Sequence, residues 1–161
     1  MKSRLKIDTV PEAYRAMRGL QAYVDQSGLD PRLSELVKLR ASQINGCAYC
    51  VSMHVNKARK LGEHEDRLHL LTVWREAPIY TARERAALAW TEAVTTLTDR
   101  EVPDEVYDGV KAQFSESEIA ALTYAIVAIN GWNRICLAFR AVPDVLQELI
   151  QPDEGDSHVK A

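Results

Sequence analysis

From Pro11 onward the apolar residues of this chain recur at spacings of three and four, and no strictly alternating run bounded by turn residues interrupts them. That periodicity dictates helices that bury one face each, so the expected fold class is all-α, a helical bundle. At 161 residues, the chain is about the size of one ordinary domain. Such a chain buries a sizeable single core without metal or disulfide staples.

The helix ends are written in the sequence. A first helix is expected from Pro11 to Gln26, with Thr9 and Glu12 spaced as a capping box and Gly28 placed to end it. Asp30-Pro31 opens a second, which Asn45-Gly46 closes, and a third runs from Cys47 to Leu61 and stops at Gly62. Further helices fit Glu65 to Glu76, Thr81 to Leu97 behind a Thr81/Glu84 capping box, and Pro103 to Phe114. Ser115 and Glu118 form another box ahead of "IAALTYAIVAIN", apolar nearly all round and expected to be buried on every side. In so small a chain, a helix of that kind is the centre of the bundle or is completed by a second subunit. One helical domain over residues 1–150 is therefore expected, followed by a loose, polar, acid-rich tail over 151–161 that carries His158.

Several function classes are excluded at this stage. With 20 basic and 23 acidic residues, the net charge of -3 provides no broad electropositive surface for nucleic acid. The opening "MKSRLKIDTV" lacks the apolar run of a signal peptide and no stretch is long enough to cross a bilayer, so a cytoplasmic protein without membrane contact is expected. There is no repeat of fixed period, no glycine-rich phosphate loop and no GxSxG elbow.

The chemistry concentrates in "INGCAYCVSMH", Ile44 to His54. At 100° per residue, Cys50 falls about 60° and His54 about 20° from Cys47, so all three share a narrow arc of the third helix. Val51, Val55, Ala58 and Leu61 lie on or beside that arc, which points the site toward apolar surroundings. Burial alone would make a thiol inert. Here the helix start favours a thiolate in the first turn, and His54, one turn beyond Cys50, can take its proton. A histidine base needs an orienting acid, and antiparallel packing of the preceding helix would bring Glu35 back to it. The His54 spacing favours Cys50 as the activated thiol and the helix terminus favours Cys47, so the order of attack stays open. Cys47, Cys50, His54 and Glu35 could alternatively ligate a metal, although structural zinc usually pairs two short motifs.

Glu35, Cys47, Cys50 and His54 at these spacings resemble the signature of alkylhydroperoxidase D (AhpD)-like proteins of the carboxymuconolactone decarboxylase superfamily. The similarity covers about Pro11 to Leu97, through "ELVKLRASQINGCAYC", "MHVNKARKLGE" and "RERAALAWTEAV". The resemblance implies an AhpD-like helical bundle, commonly oligomeric as a trimer or hexamer. It implies peroxide reduction by a thiolate, through a sulfenic acid to a Cys47–Cys50 disulfide that an external dithiol or protein reductant restores. It assigns Cys50 the attack, Cys47 the resolution, and His54 with Glu35 the proton relay, and it requires no cofactor. Tyr49 stands where hydroperoxidases of the family carry a histidine, and decarboxylase members generally lack the cysteine pair. A redox-sensing or scaffold protein with little turnover is the competing reading.

Outside this constellation, Cys136 in "NRICLAFR" reads as a small buried hydrophobe without catalysis. His64 and His69 read as solvated, and Trp74, Trp90 and Trp132 as core or interface.

Overall fold

Seven α-helices and no strand make up the described residues, 3–143, of the computed structural model. In chain order the helices are α1 (Pro11–Asp25), α2 (Pro31–Asn45), α3 (Ala48–Lys60), α4 (Glu65–Leu70), α5 (Ala82–Thr96), α6 (Asp104–Lys111) and α7 (Glu116–Phe139). The expected tail over 151–161, His158 included, lies outside the described residues. No helix among the described residues is long and apolar enough to cross a membrane.

Most of the end signals work as their chemistry requires. Asp30 accepts from the Leu33 N–H at 2.8 Å and caps α2. Both halves of the Thr81/Glu84 and Ser115/Glu118 capping boxes are formed. Gly46 ends α2 at φ 69° and Gly62 turns the chain after α3 at φ 82°, left-handed positions that cost a side-chain-bearing residue energy.

Two of the expected helix ends are corrected. Thr9 and Glu12 form no capping box: α1 starts behind Val10 without a side-chain cap. The preceding residues close a turn of their own, in which the Thr9 hydroxyl donates to the Lys6 carbonyl at 2.7 Å, and Glu12 instead pairs with Arg15. The helix expected over Glu65 to Glu76 stops at Leu70 and tightens into a 3-10 turn, Leu71–Val73. That tightening buries Trp74, whose Nε1 donates to Glu92 at 2.9 Å. The carbonyls of Trp74, Arg75 and Ala77, left without helical partners, accept from the Arg85 guanidinium.

At the centre lies α2, packed against α3, α5 and α7. Its Leu36, Val37 and Leu39 are fully buried, each worth roughly 1.5–3 kcal/mol of transfer free energy. From the opposite side α7 inserts Leu122, Ala125, Ile126 and Ile129 into the core. It is not buried on every side, as expected from its composition: Tyr124 and Val127 are 51% and 48% exposed. This strip runs along the outside of the chain, with the Tyr23 ring edge-on to Tyr124 at 5.7 Å.

Candidate active site

Against the apolar grain of α2, Glu35, Lys38 and Ser42 are buried, and buried polar groups require partners. Glu35 finds two. Its Oε2 lies 2.6 Å from His54 Nδ1 on α3, and its Oε1 accepts from Lys38 Nζ at 3.2 Å. Lys38 in turn reaches Asp25 Oδ1 at 3.6 Å. A carboxylate only accepts, so Nδ1 of the neutral ring carries the proton and Nε2 presents a bare lone pair. That Nε2 is buried and hydrogen-bonds to nothing.

The electrostatics suit a base. Burial pushes the Glu35 carboxyl up, but the His54 hydrogen bond and the charges of His54, Lys38 and Lys57 outweigh it and hold the group below its ordinary value. For His54 burial dominates and holds the ring below the usual imidazole range, Glu35 offsetting only part of the effect. The ring is therefore neutral near pH 7.

The Gly46 turn delivers Cys47 to the N-cap of α3 and Cys50 to its third residue. The Cys47 N–H donates to the Ser42 carbonyl at 3.0 Å, which ties the end of α2 to the start of α3. Both thiols are 1% exposed. Cys136 of α7 joins them: the three sulfurs lie within 4.8 Å of one another, all three are free, and Cys136 is 4% exposed.

Sulfurs this close shift one another's titration in opposite directions. The thiols of Cys136 and Cys50 donate to Cys47 and, against the effect of burial, hold it at about 3. The Cys50 backbone N–H and Asn133 act in the same direction. Donation from Cys136 works to lower Cys50, but Cys47 and burial outweigh it and push Cys50 up to about 12. Hydrogen bonds with Cys47 and Cys50, together with burial, drive Cys136 strongly upward. Of the three thiols, Cys47 is the one whose neighbours favour the thiolate.

Cys50, His54 and Cys136 form one wall of a cavity of about 270 Å³, and Tyr14, Tyr49, Met53 and Trp132 shape the rest, with Arg18 and Lys57 among its lining. Cys47 is not among the residues that line it. Tyr14 meets Trp132 edge-on at 5.8 Å.

All four residues singled out in the sequence come together here, Glu35 against His54 and Cys47 against Cys50. Leu61, expected on the apolar arc, is exposed, whereas Ala58 is buried. The reading of Cys136 as an isolated hydrophobe is corrected, because α7 carries it to the cysteine pair. A signal was present: Asn133 and Cys136 sit one turn apart on an apolar helix, and both are buried. Asn133 bridges the helices, donating to Ser42 Oγ at 3.1 Å and accepting from Asn45 at 2.9 Å. For a metal, the described residues offer only the three sulfurs as a cluster, a donor set for soft cations. Glu35 and His54 are engaged with each other. His64 and His69 are exposed, Trp74 and Trp90 are buried, and Trp132 is half-buried.

The sequence profile of the carboxymuconolactone decarboxylase family matches residues 10–93. The uncharacterized protein YdfG of Bacillus subtilis is 40% identical over 131 residues, 81% of this chain and 89% of that protein. A crystal structure of a protein of unknown function from Agrobacterium tumefaciens, for which an antioxidant-defence (AhpD) role has been suggested, superposes with a TM-score of 0.86. It is 47% identical and covers 88% of this chain and 98% of that one. The debrominase Bmp8 shares the fold at a TM-score of 0.79 with 21% identity, over 89% of this chain and 77% of its own.

Proposed function

Because the chain belongs to the carboxymuconolactone decarboxylase family and carries a buried dithiol beside a carboxylate–imidazole pair, we propose that it is a thiol-dependent peroxidase. It reduces hydrogen peroxide or organic hydroperoxides through Cys47 and Cys50, with Glu35 and His54 as the proton relay. One observation carries this reading: the unpaired Nε2 of His54 shares a cavity wall with Cys50 while Glu35 holds the opposite nitrogen.

In this mechanism His54 Nε2 takes the Cys50 proton as the sulfur attacks a peroxide oxygen. The O–O bond breaks, the departing alkoxide recovers the proton from His54, and Cys50 is left as a sulfenic acid. Cys47, as thiolate, then attacks the Cys50 sulfur. The disulfide forms and hydroxide leaves, to be protonated by solvent as water. An external dithiol returns two electrons and two protons. Cys50 takes the first role because it lines the cavity and Cys47 does not; Cys47 takes the second because its neighbours favour its thiolate.

The cavity of about 270 Å³ far exceeds the roughly 30 Å³ share of one water, so an organic hydroperoxide fits beside the thiol. Assembly as a homo-oligomer, a trimer or hexamer by family resemblance, in a reducing compartment such as the cytoplasm, completes the proposal. Its support is the apolar Tyr124/Val127 strip.

Peroxide consumption driven by dithiothreitol tests the proposal. Turnover is expected with cumene hydroperoxide above that with hydrogen peroxide, and Cys50→Ser is expected to abolish both. Undiminished turnover in Cys50→Ser would overturn the reading. A redox-dependent change in oligomer size without turnover would favour a sensor instead.

A further inference from the structure

The thiol placed closest to this chemistry without a part in it is Cys136. We propose that Cys136 is a second resolving cysteine, closing a Cys50–Cys136 disulfide between α3 and α7 in parallel with Cys47. The inference rests on the peroxidase reading and adds a residue to it.

Geometry carries it. The three sulfurs lie within 4.8 Å of one another, so an oxidised Cys50 has two thiols at that range. A disulfide bond of about 2.05 Å then needs less than about 3 Å of sulfur travel in either direction. Cys136 is also held in place. Its carbonyl accepts from the Ala141 N–H at 2.9 Å, and one turn earlier Asn133 is fastened to Ser42 and Asn45 of α2. The two routes differ in access: Cys50 and Cys136 both form the cavity wall, whereas Cys47 does not. A reductant entering the cavity therefore meets both sulfurs of a Cys50–Cys136 bond.

The step balances. The S–H proton of Cys136 goes to the oxygen that leaves Cys50, so the step does not depend on Cys47. As the Cys136 sulfur attacks the sulfenic sulfur of Cys50, the S–O bond breaks and the departing hydroxide takes that proton and leaves as water. In the parent chain Cys47, as thiolate, can then exchange into the new disulfide and release Cys136. A buried thiol acting only as a hydrogen-bond donor would take no part in such bonds.

The experiment uses the full chain and its Cys47→Ser, Cys136→Ser, Cys136→Ala and Cys47→Ser/Cys136→Ser variants, each checked for native ellipticity. Every protein is oxidised with one equivalent of cumene hydroperoxide, alkylated and mapped as unreduced peptides. Cys47→Ser is expected to yield a Cys50–Cys136 disulfide that dithiothreitol reduces again. The double variant is expected to lose turnover and accumulate sulfinic acid at Cys50. Cys136→Ala, which keeps the packing but removes the sulfur, is expected to become inactivated at lower peroxide than the parent. Free Cys136 beside oxidised Cys50 in Cys47→Ser would overturn the inference and leave the peroxidase reading intact. If peroxide modifies none of the parent's three cysteines, both fail.

Discussion

The relay depends on a carboxylate whose charge, and not merely its shape, matters. Glu35→Gln keeps the hydrogen-bonding outline but removes the charge that stabilises an imidazolium at His54. General acid–base contributions of about 10²–10⁴ predict a loss of at least about tenfold in peroxidase kcat/KM, with the melting temperature reported alongside to exclude unfolding. The same pair sets an acid limit on stability. His54 and Glu35 both bind protons less readily folded than unfolded, so stability rises with pH. It is complete above the unfolded imidazole value of 6.5 and declines below it as His54 is forced to charge. It falls further below the unfolded carboxyl value of 4.5. Thermal melts across this range should show both segments, and His54→Asn should flatten the upper one. Glu35, Cys47, Cys50 and His54 were legible in the sequence because two adjacent helices carry them and helical spacing places side chains on faces. Cys136 was not, since its contact with Cys50 spans 86 positions and no local periodicity reports which distant helix a face will meet.

Among the elements, the α2–α3 junction places the chemistry. Gly46 holds φ 69° with open space around it, so Gly46→Ala is strained by its backbone alone, by about 1–2 kcal/mol. Because Cys47 follows directly, that variant should lower the denaturant midpoint and also slow thiol alkylation, two readouts that a distant loop glycine would not couple. The cap of α2 offers a contrast: Asp30→Ala should cost about 1 kcal/mol of stability and leave turnover per folded molecule unchanged. Capping signals were read correctly where polar side chain and helix start coincide, at Asp30, Thr81 and Ser115. They misled at Thr9, where a local turn captures the hydroxyl first; separately, the helix expected to reach Glu76 stops at Leu70, beyond which Trp74 is buried.

For the molecule as a whole, the all-helical architecture followed from periodicity, whereas the exposed strip on α7 did not, because composition cannot distinguish a face packed in the core from one left outside. Tyr124 and Val127 are expected to lie between subunits. Light scattering should then report a multiple of the 18.1 kDa chain, and Val127→Glu should reduce it. A bond between Cys50 and Cys136 would close a loop of 86 positions, so peroxide-treated Cys47→Ser should gain up to about 4–5 kcal/mol over its reduced form. The cavity itself is divided between helices. Tyr14, Arg18 and Gln21 of α1 line it, while every acid, base and sulfur of the reaction stands on α2, α3 and α7, and α1 leans on α7. Part of the selectivity is thus written on a stroke of the chain that carries no reacting group: altering α1 can retune which molecules are admitted while the sulfurs, acid and base keep their places.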